Sequence, residues 1–274
     1  MLLPDDFQFS QNNLQDYADC ARRFQLRHIL HQEWPAVQTE PVLQTEQLID
    51  LGQNFHRLVL QNHSGISENV ISESTKDPEL ETLWQNYMKD GPARYEQQTK
   101  AEFTISVPFA GYRLIAKYDL LVFHPESKVV IYDWKTSIKQ PKREFMMQRM
   151  QSKIYPLVFS LADYPQNGPI SPDKIEMVYW YPYHPSTPLS FTYNLQQQED
   201  NQVELKNMIN EILAFREPIF PLTMDLSKCK FCAYRSLCER GDKAGNLDDL
   251  EILDGLLTDP GWNLDFEKIE EITF

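Results

Sequence analysis

The sequence predicts an α+β fold in which one mixed α/β sheet is flanked by helices. Three observations carry that expectation. Apolar residues recur at helix-like spacing up to about residue 90, alternating β-rich runs take over near residue 101, and helical and strand-like segments then alternate to about residue 216. With 274 residues, 42% of them hydrophobic and 12% aromatic, the chain has enough apolar surface for a substantial core.

Asn13 or Asp16 is the candidate cap of a first helix running to about Gln32, which carries Cys20 and the run Arg22-Arg23-Phe24. A second helix over about Leu43 to Asn62 follows from Leu43, Leu48, Leu51, Phe55, Leu58 and Val59, and His56 lies on it. Residues 63–77 are polar and small and read as a surface loop, after which Pro78 opens a helix to about Asp90. Ala101 to Phe109, Tyr112 to Phe123 and Val129 to Trp134 then form the pattern of a three-stranded antiparallel meander, with turns at Ala110-Gly111 and His124 to Lys128. A helix from about Phe145 to Ser160, strands Ile175 to Tyr183 and Leu189 to Tyr193, and a helix from Glu199 to Arg216 complete the expected domain, residues 1–240. An acidic tail over 241–274 follows it, in which Leu247 to Leu257 is a candidate short helix.

The stretch VVIYDWKTS, Val129 to Ser137, runs an apolar strand straight into Asp133 and Lys135. A charge at the end of a buried strand needs a partner, because an unpaired one near a core is expensive. A simple Asp-Lys strand-end pair is one reading. Centring the preceding turn on Glu126 makes residues pair whose numbers sum to 252, which sets Asp119 opposite Asp133. Opposed side chains are about 4.5 to 5.5 Å apart at Cβ. Two carboxylates at that separation repel unless a cation stands between them, and a divalent ion with oxygen ligands is the usual solution. Lys135, two residues on, points to the same face. A one-residue slip of the register would send Asp119 to the opposite face.

No apolar run of about 18 residues occurs and the N-terminus lacks the pattern of a secretory signal, so a cytoplasmic protein without a membrane partner is expected. In a reducing compartment four cysteines are metal ligands or buried thiols rather than disulfides. The net charge of −14 argues against a nonspecific nucleic-acid coat, yet charge acts locally. From Glu239 to Phe274 there are 11 acidic and 3 basic residues, whereas Lys135 to Lys153 carries Lys135, Lys139, Lys142, Arg143, Arg149 and Lys153 against Glu144 alone.

These residues resemble the PD-(D/E)XK nuclease superfamily, and within it the RecB-like, AddB-like iron-sulfur branch, similar to the CRISPR-associated exonucleases. That branch carries a helix histidine, an aspartate ending one strand, Asp-x-Lys on the next and Gln-x-x-x-Tyr on the following helix. Here GQNFH supplies His56, KYD supplies Asp119, DWK supplies Asp133 and Lys135, and QSKIY supplies Gln151 and Tyr155. Gln151 and Tyr155, four apart, share a helix face. Gln148 is a rival for Gln151 without the tyrosine at the right spacing. A second match lies in the cysteines: Cys20 in YADCARRF, then Cys229, Cys232 and Cys238 in KCKFCAYRSLC, like the ligands of a 4Fe-4S cluster in that branch. Zinc is the alternative, although zinc ribbons usually pair two C-x2-C knuckles. The sequence departs from the pattern at Ala21, often proline, and at Ala116, often glycine.

The resemblance implies a restriction-endonuclease-like fold with termini joined by the iron-sulfur cluster. It implies a DNA nuclease, an exonuclease on single strands or ends, acting in repair, recombination or CRISPR adaptation. Mg2+ or Mn2+ would sit on His56, Asp119 and Asp133, with the Trp134 carbonyl as a further ligand, and Lys135, Gln151 and Tyr155 would complete the site. Glu102 has a counterpart in the family, and equally reads as a surface strand residue. The run Tyr179 to Tyr183 reads as sheet core or as a base-stacking platform. Arg22, Arg23, Arg27, Lys228, Lys230 and Arg235 join the 139–153 stretch as a candidate nucleic-acid path. The alternative function is a catalytically silent, nuclease-derived binding or scaffold subunit that works with a helicase or CRISPR adaptation proteins and docks through the acidic tail.

Overall fold

The structure, a computed structural model, describes residues 3–32, 40–92, 98–125, 128–163, 170–241 and 245. The segment Leu247 to Leu257 and most of the acidic tail lie outside the described residues. The chain enters through a short strand, β1 (Gln8–Ser10), too brief for any period to reveal it. Ser10 then caps α1 (Gln11–Asp19): its side chain accepts the Asn13 backbone N–H, and the Asn13 side chain accepts that of Ser10. The helix start therefore precedes both expected caps. Nor does the helix run on to Gln32. It breaks at Cys20, whose extended backbone (φ −164°, ψ 109°) separates α1 from α2 (Ala21–Phe24), and a π-helical turn spans Gln25–Ile29.

The long α3 (Glu40–His63) is followed by α4 (Glu68–Ser74), which occupies the expected loop. A single apolar side chain anchors α4: Ile71 is buried, and Ser72 accepts the Trp84 indole N–H at 2.9 Å. One anchor makes no period, which is why polarity alone misreads this segment. α5 (Pro78–Asp90) starts as expected, with Asp77 accepting the N–H groups of Glu79 and Leu80 ahead of Pro78.

The expected meander forms from β2 (Thr99–Phe109), β3 (Tyr112–Phe123) and β4 (Val129–Trp134), paired antiparallel. The predicted single helix after it is two, α6 (Arg143–Gln148) and α7 (Met150–Leu161), divided by an extended Arg149. These helices form the crossover that lets β5 (Ile175–Trp180) lie parallel to β4, and β6 (Leu189–Thr192) returns antiparallel to β5. Asn194 caps α8 (Leu195–Ala214), four residues ahead of its expected start.

β2 runs along β3 from Tyr112 to Val122 and occupies one edge of it. The other edge is shared: β1 pairs with residues 113–115 in parallel, and β4 pairs with residues 120–123. Two cores cover the sheet. Leu14 of α1, Ile154 and Leu157 of α7, and Ile209 and Ile212 of α8 fill the first; Phe55 of α3, Ile71 of α4, and Leu83 and Trp84 of α5 fill the second.

Strand side chains alternate between faces, so Leu114, Ala116 and Tyr118 all reach the first core. Leu120 and Val122 have the same parity but lie in the second. β2 switches in step, with Phe103, Ile105, Val107 and Phe109 against the first core and Ala101 against the second. The register is the same on either side (Phe103↔Tyr118, Ala101↔Leu120), so no residue is inserted; the pair Glu102 and Asp119 drops out of the ladder. Glu102 has φ +48° there, a left-handed backbone that a non-glycine residue rarely adopts.

The chain's two ends meet through ordinary hydrogen bonds. Gln25, fully buried, donates to Pro218 O at 2.8 Å and accepts Phe220 N–H at 2.9 Å. Tyr234 donates to Gln32 O, Arg22 N–H to Pro221 O, and Lys228 pairs with Asp19 at 2.9 Å.

Candidate active site

The site lies where β3 and β4 part. The hairpin has the predicted sum of 252, but its last ladder pair is Leu120↔Tyr132, one step short of Asp119 and Asp133. Beyond that point β4 stays with β5 (Asp133↔Tyr179, Trp134↔Trp180), and the Asp119 side chain takes the place of a ladder bond by accepting the Trp134 N–H at 2.8 Å. The parting strands let groups from both faces of the sheet converge. His56 comes from α3 on one side, Gln151 and Tyr155 from α7 on the other.

Gly52 makes the approach of α3 possible, because a Cβ there would stand 2.9 Å from Thr136 Oγ1. One turn further on, His56 bridges the strand ends: Nε2 donates to Trp134 O at 3.0 Å and Nδ1 is 3.4 Å from Asp119 Oδ1. Burial pulls this imidazole down, but the Asp119 charge and hydrogen bond, with Asp133 and Glu102 behind them, outweigh it and hold the ring at about 9. Asp119 itself is held below the usual carboxylate value: burial opposes ionisation, and His56, the Trp134 N–H and Lys135 prevail.

Asp133 is 3% and Lys135 4% exposed. Lys135 Nζ stands 2.8 Å from Asp133 Oδ2, and Gln151 Nε2 donates to Asp133 Oδ1 at 2.5 Å. Burial first, then the Asp119 charge, push Asp133 up to about 7 despite Lys135. Asp133 Oδ2 is therefore buried against the Lys135 ammonium and Oδ1 against the Gln151 amide. The Tyr155 hydroxyl is buried, faces Gln151, and is raised well above its ordinary value by burial and by Asp133 and Asp119.

Within the described residues, one set of side chains could hold a metal ion, with ligand atoms all within 4.8 Å of one another: His56, Glu102 and Asp119. The expected set differs by one member. Glu102, opposite Asp119 at the dropped pair, joins two of the expected ligands, while Asp133 lies against Lys135 and Gln151. Nothing in the strand pattern signals this, because strict alternation does not foresee the inversion at Glu102. The chemistry of the set, two carboxylates and an imidazole with a third carboxylate, Asp133, in the same cluster, fits a divalent cation. Glu102 also pairs with Lys117 at 2.6 Å.

The four cysteines lie close enough to feel one another's charge. Cys20 sits at the break between α1 and α2, and Cys229 ends a 3-10 turn (Leu226–Cys229). The N–H of Cys232 bonds Cys229 O, and that of Cys238 bonds Tyr234 O. None is in a disulfide. Burial and mutual proximity push the thiols of Cys229, Cys232 and Cys238 up. No three of the sulfurs come within 4.8 Å of one another.

Several expected nucleic-acid contacts are otherwise engaged. Tyr179, Trp180 and Tyr181 are sheet core, at most 1% exposed, which removes them as a base-stacking platform. Arg23 and Arg27 pair with the buried Asp16, and Lys228 with Asp19, because Asp16 is a hub that also binds His28 at 2.9 Å. Lys139, Lys142 and Arg143 are exposed, with the Arg143 guanidinium over the Phe191 ring at 4.3 Å.

Residues 8–239 match a family profile described as the PD-(D/E)XK nuclease superfamily. Among solved structures, a Eubacterium rectale protein provisionally named an exonuclease aligns with TM-score 0.52 at 10% identity, over 90% of this chain and 94% of that one, a likeness of fold. The protein SSO0001 aligns at TM-score 0.36 and 15% identity over 71% of this chain and 84% of that one. No curated protein matches the chain.

Proposed function

The chain belongs to the PD-(D/E)XK nuclease superfamily, and on that premise we propose that it is a divalent-cation-dependent deoxyribonuclease, an exonuclease acting on single strands or ends. The observation that carries the reading is the convergence on one strand fork of His56, Asp119 and Glu102 with the Asp133, Lys135 and Gln151 cluster. A decayed scaffold would tolerate loss of a carboxylate or of the lysine, and none is lost.

Asp119, Glu102 and His56 would hold Mg2+ or Mn2+, with Asp133, set in place by Lys135 and Gln151, as a further carboxylate. The cation, when bound, supplies Lewis acidity toward the phosphate and lowers the pKa of water. Lys135 places a fixed ammonium in a buried site, where positive charge opposite the growing negative charge of a phosphodiester transition state is most effective. Gln151 fixes the Asp133 carboxylate, and Tyr155 packs behind Gln151. Lys139, Lys142 and Arg143 give the strand its salt-sensitive attraction.

The cysteines are read as ligands of a 4Fe-4S cluster. Zinc is the alternative, although zinc ribbons usually pair two C-x2-C knuckles and Cys20 stands far from the other three in sequence. The cluster need not be what joins the termini, because Gln25, Arg22, Lys228 and Tyr234 already do so. The resemblance to the RecB-like iron-sulfur branch supports a setting in DNA repair, recombination or CRISPR adaptation, with a helicase or adaptation proteins as partners. Among the described residues no helix is long and apolar enough to cross a membrane.

The test is digestion of 5′- and 3′-labelled single-stranded DNA with manganese by anaerobically purified protein, beside Asp119→Asn. Manganese-dependent loss of label by the wild type alone supports the reading and gives polarity. An inert wild type with its cysteine-bound metal intact contradicts it.

A further inference from the structure

Lysine is a poor choice for a fixed charge: its stem is flexible and its ammonium is strongly hydrated. Lys135 is nevertheless almost fully buried, so something besides Asp133 must hold it. Its backbone N–H bonds Trp180 O at 3.0 Å, which ties its main chain to β5. The neighbouring residue on β5 is Tyr179, in parallel register with Asp133. The ammonium of Lys135 lies 5.6 Å from the centroid of the Tyr179 ring, within cation–π range.

The ring is itself fixed on two sides. Phe191 of β6 meets it edge-on, at 5.9 Å and 79°. At its far end the Tyr179 hydroxyl is 2.7 Å from Ser152 Oγ. Ser152 has one proton, and it donates that to Met146 O at 2.5 Å, so Tyr179 is the donor to Ser152. Consecutive residues of α7 therefore hold the two halves of one ion pair. Gln151 grips Asp133, and Ser152 grips the ring that faces Lys135.

From this geometry we infer that Tyr179 is a positioning residue: its ring face, locked by Ser152 and Phe191, holds the Lys135 ammonium in place for phosphodiester cleavage. The inference rests on the nuclease reading above for its kinetic consequence, but not for the contact itself. The ring supplies the negative face and the hydroxyl only its tether to Ser152, so the effect should follow the electron density of the ring, and loss of the hydroxyl should cost less than loss of the ring.

The experiment uses the full chain with manganese and labelled single-stranded DNA. It compares wild type, Tyr179→Phe, Tyr179→Leu and a graded series with fluorinated phenylalanines at 179. Alongside, the ε-methylene signal of Lys135 is read in protein carrying 13C-lysine and assigned by its loss in Lys135→Met. The expected result is that Phe rescues most of kcat, that each added fluorine lowers kcat with KM and manganese affinity unchanged, and that Leu costs roughly 2- to 30-fold, the cation–π range. The Lys135 signal should show a ring-current upfield shift that Leu abolishes. Equal kcat across the fluorinated series, or a Lys135 signal unmoved by Tyr179→Leu, overturns the inference. If the wild type cuts no DNA, the nuclease reading falls, and the ring-current shift alone decides whether Tyr179 holds Lys135.

Discussion

Glu102 and Asp119 face one another across β2 and β3 at the position where the ladder skips a pair and the side-chain alternation of both strands reverses. The left-handed backbone of Glu102, φ +48°, marks the same point. Strain of this kind persists where the surroundings over-determine it, and it gathers at functional sites. Replacing Glu102 with glycine should therefore stabilise the metal-free fold by about 1 kcal/mol while weakening manganese binding at least tenfold. Thermal melts and manganese titrations check the two halves together, and a destabilised variant of unchanged affinity would refute this account of Glu102.

The close approach at Gly52 gives a second prediction. Alanine is the better helix former by up to about 1 kcal/mol, yet its Cβ would sit 2.9 Å from Thr136 Oγ1. The clash should win, so that Gly52→Ala loses roughly 1–3 kcal/mol and shifts His56 away from Asp119. A more stable Gly52→Ala protein with normal manganese affinity would show that α3 has room to spare.

Protonation sets a third. In the metal-free site His56 is raised from 6.5 to about 9 and Asp133 from 3.8 to about 7. Both shifts mean that the fold binds protons more tightly than the unfolded chain does. The contribution of His56 to stability is full below about 6.5 and is lost as pH rises through about 9, and ionising the buried Asp133 costs stability between about 4 and 7. A divalent cation needs the deprotonated forms. Metal binding should then release protons and tighten as pH rises from about 6 to 9, which calorimetry in buffers of different ionisation heat will count. Binding without proton release contradicts a protonated His56 and a raised Asp133.

The contact between the chain's ends gives a fourth. Gln25→Leu leaves Pro218 O and Phe220 N–H unpaired in a buried place, at a cost of about 2–4 kcal/mol. Removing the metal proposed at the cysteines should be milder, leaving the hydrogen-exchange protection of Phe220 in place. If protection vanishes with the metal, the cluster and not Gln25 joins the ends.

Much of the fold was legible because its signals are local. The alternating runs of β2 to β4, the Asp77-Pro78 start of α5 and the register of the hairpin all follow from residues close in sequence. What escaped depends on distant neighbours. α4 hangs on Ile71, β1 exists through pairing with residues 113–115, and Arg149 splits a helix that periodicity makes continuous. In the site, the motif residues were readable, whereas the inversion that admits Glu102 and the Ser152–Tyr179 contact arise only when strands and α7 are brought together.

The central claim is that Lys135 serves cleavage while the carboxylates and His56 serve the cation. Manganese affinity by electron paramagnetic resonance and single-turnover cleavage of labelled single-stranded DNA, measured on the same sample of Lys135→Met, separate the two. Affinity within a few-fold of wild type with cleavage reduced at least a hundredfold, the loss of roughly 3 kcal/mol of transition-state stabilisation, is the result expected. Undiminished cleavage by Lys135→Met would contradict the account.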